Sequence, residues 1–343
     1  MKKVFFTFLL AGFNVVAFNQ VIEGTVFEIG TDSVISSATI YFDGAFVGTL
    51  ADKNGNFRLD ITKYASMPLT VSSIGYYSVT LTNYRTDKPL KIYLTPKMYE
   101  MNEVVISSKP LFRERKAYLK LFKDEFLGTT YNAQNCEIIN ENDISFNYDS
   151  CQDTLRAFAT NPLIINNRAL GYKITYYLDK FEYYRRSRSF MFVGNLIFNE
   201  DLISNKTDKN LSALLYEKRR YSTYLGSRMH FFRALWKDGM TEAGFSIRNS
   251  DDGYLSYTDI VRQEDIRRPD SPDRDIKHII YSGDLKIYYN GELSTMIFLK
   301  PRVYFNKDGK YDNMVITWEG EMIKKRIGDM LPDVYNESYN SNR

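Results

Sequence analysis

The chain has 343 residues, with 45 Lys and Arg against 42 Asp and Glu, two His and two Cys. That length holds about two domains, and 44% hydrophobic with 25% charged residues excludes a wholly disordered chain. The net charge of +3, which falls to +1 without Lys2 and Lys3, gives no electrostatic case for nucleic acid, and so few His and Cys leave little for metal or thiol chemistry.

Lys2 and Lys3 precede an almost wholly apolar run over residues 4–18, and Val15-Val16-Ala17 offers small residues for cleavage after Ala17. Residues 1–17 therefore read as a secretory signal peptide. The apolar run, about 15 residues, is shorter than the roughly 20 that span a bilayer, and no later segment approaches a transmembrane helix. The expectation is export to an envelope compartment. Cys136 and Cys151 would then meet an oxidising environment, where a bridge closing a loop of about 15 residues is worth roughly 3 kcal/mol. The segment between them, 137–150, reads as a hairpin around Asn140-Glu141-Asn142-Asp143. That geometry permits the disulfide without forcing it, and two buried free thiols are the alternative.

From residue 20 to about 95 the chain reads as six or seven short strands, at 21–27, 38–42, 46–50, 56–61, 69–74, 78–81 and 90–94. Their spacing predicts a β-sandwich with Val26, Ile40, Phe57, Leu59, Val71 and Ile92 as core candidates. Asp52-Lys53-Asn54-Gly55-Asn56 has part of the look of a calcium loop, but the closing Glu is missing and Lys53 intrudes. Asn54-Gly55 is the expected hairpin turn, since both residues tolerate positive φ.

Gly24-Thr25-Val26, Ala38-Thr39-Ile40, Gly48-Thr49, Asp52-Lys53-Asn54-Gly55-Asn56-Phe57 and Ser73-Ile74-Gly75-Tyr76, followed by the strand at 90–94, form one pattern. It resembles the carboxypeptidase-regulatory-like, or transthyretin-like, β-sandwich domain. That resemblance implies a fold and an envelope location, the periplasm or outer-membrane surface of a Gram-negative cell. It is also similar to the N-terminal extension of TonB-dependent receptors, and Asn102-Glu103-Val104-Val105-Ile106 resembles the linker that follows the domain there. The matching positions are turns and core, so no activity is carried over.

Residues 96–109 read as a linker and 110–343 as a larger β-rich domain, with helices near 111–127, 211–221 and 227–238, the last capped by Ser227. The expected fold is thus mainly β: a transthyretin-like sandwich followed by a β-rich domain with a few short helices. Within it, Phe126-Leu127-Gly128, Asn161-Pro162-Leu163, Leu170-Gly171-Tyr172 and Tyr224-Leu225-Gly226-Ser227 resemble a domain found behind regulatory-like sandwiches in secreted proteins.

No catalytic motif is found. A zinc carboxypeptidase needs His-x-x-Glu, and neither His230 nor His278 has Glu at the third position after it. His230 reads as a packed or capping side chain, and His278, in an alternating strand, as facing solvent. There is no Gly-x-Ser-x-Gly elbow, phosphate loop or dinucleotide fingerprint. The expectation is no catalytic, cofactor or metal residues. Tyr183, Tyr184, Arg185, Arg186 and Arg188 mix aromatic and guanidinium groups as a binding surface would, although a solvated surface is the favoured account of them. A second basic cluster, Lys218-Arg219-Arg220, ends a helical stretch, and 267–275 is a charged, Pro-punctuated loop. Together these features point to a non-enzymatic secreted or outer-membrane-associated protein that binds or assembles with an envelope protein or a surface glycan. A hydrolase using dispersed carboxylates and a membrane component related to TonB-dependent receptors are the rival readings.

Overall fold

A computed structural model describes residues 20–62, 64, 67–81, 84, 88–97, 112–201, 209–262 and 276–336. The expected signal peptide at 1–17, the expected linker after Lys97, and the charged loop at 267–275 lie outside the described residues.

Alternating β-branched and aromatic residues give the first unit seven strands: β1 (Val21–Glu28), β2 (Thr39–Phe42), β3 (Gly48–Leu50), β4 (Asn56–Asp60), β5 (Leu69–Ser72), β6 (Val79–Leu81) and β7 (Leu90–Leu94). They form two sheets, β4-β1-β7 and β3-β2-β5-β6, with β1 antiparallel to β4 and parallel to β7. All six core candidates are buried between them. Gly24 is required by close approach: a Cβ there would sit 2.5 Å from the Leu90 carbonyl oxygen and 2.8 Å from the Phe57 ring. The loop at Asn54-Gly55 is a turn, but not the expected hairpin. β3 and β4 belong to different sheets, so residues 52–56 carry the chain across the sandwich. Asp52 Oδ1 accepts from the Asn54 and Asn56 amides at 2.8 and 2.9 Å, which tightens this corner and turns Phe57 and Leu59 back into the core.

The second region begins with α1 (Phe112–Phe126) and a turn of helix, α2 (Tyr131–Gln134). A six-stranded sheet follows: β8 (Cys136–Ile138), β9 (Ile144–Asp149), β10 (Thr154–Ala159), β11 (Leu163–Asn167), β12 (Tyr172–Tyr184) and β13 (Ser189–Glu200). The long β12 organises it. Its register runs along β13 from Tyr172↔Glu200 to Tyr184↔Ser189, interrupted by a bulge between Leu178 and Lys180. Its other edge is shared, with β11 pairing at Tyr172 to Tyr176 and β10 at Glu182 to Tyr184. Tyr172, Ile174, Tyr176 and Leu178 face a core filled by Phe122 and Phe126 of α1.

This branching corrects the disulfide expectation. The hairpin over 137–150 does not form, because β8 pairs with β11 and β9 with β10. Cys136 lies level with the Tyr172 end of β12, and Cys151 lies in the β9–β10 turn beyond the Tyr184 end. Twelve strand residues separate those ends by about 40 Å, whereas a disulfide tolerates Cα atoms about 7 Å apart. Both thiols are free, Cys136 half-buried and Cys151 exposed.

The chain then forms α3 (Lys209–Tyr224), α4 (Arg228–Trp236), β14 (Phe245–Arg248), α5 (Tyr257–Ile260), β15 (Val261–Arg262), β16 (Ile276–Ile280), β17 (Leu285–Tyr289), β18 (Glu292–Phe298), β19 (Arg302–Asn306), β20 (Ile316–Gly320) and α6 (Glu321–Lys324). Sheets β14-β17-β18-β20 and β15-β16-β19 enclose a core with Phe231, Phe232 and Leu235 of α4. Ser227 caps α4 as expected, its Oγ accepting from the His230 amide at 3.1 Å, and His230 is packed among Tyr224, Phe245 and Tyr289. The expectation for His278 is overturned. It sits on the middle strand of its sheet, is 1% exposed and meets the Tyr304 ring edge-on at 4.5 Å. No helix among the described residues is long and apolar enough to cross a membrane.

Candidate functional site

The β12–β13 hairpin delivers the aromatic and basic residues singled out by sequence to one end of the sheet. Tyr183 and Tyr184 end β12, half-buried, and residues 185–188 form the exposed turn, with Arg188 in the left-handed region at φ +54. Because β10 pairs with β12 at Thr154↔Tyr184, the β9–β10 turn lies alongside and supplies Tyr148, Asp149 and Asp153. Arg185 stacks over the Tyr148 ring at 5.1 Å, and Tyr148 stacks on Tyr118 of α1. The Tyr148 hydroxyl donates to Asp153 Oδ1 at 2.6 Å, and Arg186 Nε stands 4.0 Å from Asp153 Oδ2 with 78% of its side chain exposed.

The carboxylates at this end are already engaged. Arg156 donates to Glu182 at 3.1 Å and to Asp149 at 3.2 Å, and Lys180 Nζ lies 3.0 Å from Glu182. Burial alone would raise the Glu182 carboxyl, but bonds from Tyr184, Lys180 and Arg156 outweigh it and hold the group below the ordinary carboxylate range. The Gln152 amide, with Arg156 and the Cys151 amide, does the same for Asp149. Both groups therefore stay ionised near neutrality, and Arg185, Arg186 and Arg188 supply a surplus of positive charge. The second basic cluster behaves differently: Arg220 is 4% exposed, bonds to Glu217, Glu200 and the Leu170 carbonyl, and lies over the Tyr172 ring at 4.0 Å. It fastens α3 to the sheet.

A charged cluster with no signature in the sequence lies where the sandwich meets the second region. The loop after β2 runs against the free edge of β13. The Gly44 amide donates to the Leu196 carbonyl at 3.0 Å, the Phe198 amide to the Ala45 carbonyl at 3.0 Å, and the Leu196 amide to Asp43 Oδ1 at 2.7 Å. Lys310, in the loop after β19, donates to the Asp43 carbonyl oxygen at 3.1 Å and to Asp333 Oδ2 at 2.6 Å, while the Asp333 amide donates to the Gly44 carbonyl at 2.8 Å. Tyr177 of β12 donates to Thr39 and stacks on Tyr41 at 5.5 Å, and Lys97 lies 2.9 Å from Asp179. From sequence, Asp43-Gly44 is an ordinary turn signal, and its partners Lys310 and Asp333 lie 267 and 290 residues further along the chain.

Among the described residues, no three His, Cys, Asp or Glu side chains are grouped as a metal site would need. The family described as CarboxypepD_reg-like domain matches residues 22–106, which takes in all seven strands of the sandwich but for Val21. Comparison with curated proteins finds no match. On the family match, residues 22–106 are a carboxypeptidase-regulatory-like domain, and their described part is a two-sheet β-sandwich with a buried apolar core.

Proposed function

We propose that the chain is a non-catalytic protein of the cell envelope that binds an acidic surface glycan through the β12–β13 hairpin tip. One observation carries this reading: three exposed guanidinium groups, Arg185, Arg186 and Arg188, stand beside Tyr148 and Tyr184 where the neighbouring carboxylates are already paired. Guanidinium is charged at all physiological pH, forks onto carboxylates and stacks on rings, so this end suits a chain of uronate sugars. The supporting sheet fixes the geometry in advance, which lowers the cost of ordering on binding. Export rests on the features of residues 1–17, and the envelope location on the regulatory-like domain.

The test uses the mature protein on immobilised polygalacturonate, with neutral dextran as control. Retention on the acidic polymer should weaken steeply with salt, because exposed charges are screened within about 10 Å at 0.1 M. The R185A/R186A/R188A variant should lose retention. Equal retention of this variant, or equal binding to both polymers, defeats the reading. Capture of an acidic envelope protein that depends on the same arginines, without polymer binding, would replace the glycan with a protein partner.

A further inference from the structure

The seam between the sandwich and the second region is arranged differently from an ordinary packed contact. Its backbone bonds run along the outer edge of β13 at Leu196 and Phe198, so the loop at 43–46 covers part of an otherwise unpaired edge strand. Its side chains gather two carboxylates and one ammonium: Lys310 pairs with Asp333 at 2.6 Å and donates to the Asp43 main-chain carbonyl, while the Asp43 carboxylate accepts from the Leu196 amide at 2.7 Å. About a quarter or less of the Lys310 and Asp333 side chains reaches solvent, so these charges are largely, though not wholly, desolvated. Gly44 leaves no room for adjustment: it sits at φ +73, and a Cβ there would be 2.4 Å from Asp333 Oδ2.

We infer that this seam is a proton-linked latch, in which docking of the sandwich loop on β13 takes up a proton at Asp43 and tightens as the surroundings acidify. Charged and titratable groups face Asp43 from every element packed against it. Lys310 comes from the loop after β19, Asp333 from the C-terminal segment, Tyr41 from β2 and Tyr176 from β12, while Asp308 acts on Lys310 and Asp333. Arg233 of α4 forks onto the Asp308, Asp333 and Tyr335 carbonyls and adds positive charge beside Asp333. Tyr41 and Tyr176 stay neutral, since burial, and to a lesser degree Asp43, push both phenols well above their ordinary range. Burial raises the Asp43 carboxyl to about 6, against the opposing pull of Lys310 and the Leu196 amide. Asp333 is raised as well, again by burial first.

With the loop released, Asp43 is an ordinary carboxyl titrating near 4; docked, it titrates near 6. The docked state therefore binds more protons, and by linkage the stabilisation is complete below about pH 4 and lost as pH rises through 6. A rise of that size changes the docking equilibrium by up to about a hundredfold. Above pH 6 two carboxylates face the single Lys310 ammonium, and the loop releases the β13 edge more often.

Amide hydrogen exchange of the full mature chain reads this directly. Exchange at Gly44, Leu196, Phe198 and Asp333, corrected for the intrinsic pH dependence, gives the opening equilibrium of the seam. Opening should increase up to about a hundredfold from pH 4 to pH 8. Asp43→Asn keeps an acceptor for the Leu196 amide and removes the charge, so its opening should rise much less with pH, by no more than Asp333 contributes. Wild-type opening independent of pH, or an unchanged slope in Asp43→Asn, overturns the latch. Should the variant misfold, carboxyl carbon NMR of Asp43 in the wild type decides: a midpoint near 6 supports the latch and one near 4 rejects it.

Discussion

The hairpin tip and the seam use the same charged residue types and differ in which sign is in excess and in how much water reaches it. At the tip, cations outnumber the acids they pair with, and Arg185, Arg186 and Arg188 reach solvent while Glu182 and Asp149 are held ionised. At the seam, two acids lie near one Lys, which pairs with Asp333 only, in a mostly dry contact, and burial moves Asp43 the opposite way, to about 6. A surplus charge in water costs the fold little and stays available to a ligand. A surplus charge under protein couples the fold to pH. Composition near the two sites does not separate them; solvent access does.

The largest effects should come from breaking the seam or the sandwich core. Lys310→Met leaves Asp333 without its ion-pair partner and the Asp43 main-chain carbonyl without its donor, and removing one partner of a buried pair costs about 3–5 kcal/mol. That loss should be read as a fall in unfolding free energy at pH 8 and should shrink at pH 5, where the carboxyls can take protons instead. An equal loss at both pH values would show that Lys310 contributes packing and not charge. Phe57→Ala provides the contrast: Phe57 is 5% exposed in an apolar core, and its truncation should cost about 3–5 kcal/mol at either pH. A pH-dependent penalty there would blur the distinction between seam and core. Gly44→Ala should be intermediate, with about 1–2 kcal/mol from placing a Cβ at positive φ and a further loss from the clash with Asp333. A chemical denaturation midpoint at or above that of the wild type would mean that the loop shifts freely.

The sandwich was legible because its signals are local. Phe57, Leu59 and Ile61 alternate and turn residues punctuate the strands; in the second region the Ser227 cap of α4 was legible for the same reason. What failed was long-range. The Asn54-Gly55 turn has the right residues for a hairpin, yet whether the chain returns to the same sheet or crosses to the other depends on strand partners far along the sequence. Cys136 and Cys151 are close in sequence and far apart in space because their strand pairs, β8 with β11 and β9 with β10, join opposite ends of one edge of β12. His278 looked solvent-facing by alternation, but on the middle strand it is flanked by Arg262 and Tyr304 and is 1% exposed against the Tyr304 ring. The tip could be found because its residues are contiguous. The seam could not, since Asp43, Lys310 and Asp333 meet only after the two regions dock.

The thiols offer a smaller test of the same architecture. The unfolded, unreduced protein should present two free thiols per chain, and in the folded protein alkylation should reach Cys151 well before Cys136. Burial, with a contribution from Asp329, pushes the Cys136 thiol to about 12, and its Sγ donates to the Asn132 carbonyl. A thiol count of zero would mean that the two cysteines are joined and that the strand order around β12 is wrong.

The smallest expected effect on stability belongs to the tip, and its smallness is what the comparison with the seam requires. The R185A/R186A/R188A variant removes three side chains that are exposed in solvent, one of which stacks on Tyr148 and another of which stands 4.0 Å from Asp153. Exposed substitutions of this kind shift stability by about 0.5 kcal/mol or less each, and an exposed cation–π contact is worth about 0.5–1 kcal/mol. The strand pairs, the Arg156–Glu182 bond and the Phe122–Phe181 contact beneath the tip are untouched. The melting temperature should therefore move by only a few degrees while retention on polygalacturonate is lost. A collapse of stability comparable to that of Lys310→Met would make the tip arginines structural, and they would then resemble Arg220, which is buried against the sheet, more than a surface held out to a ligand.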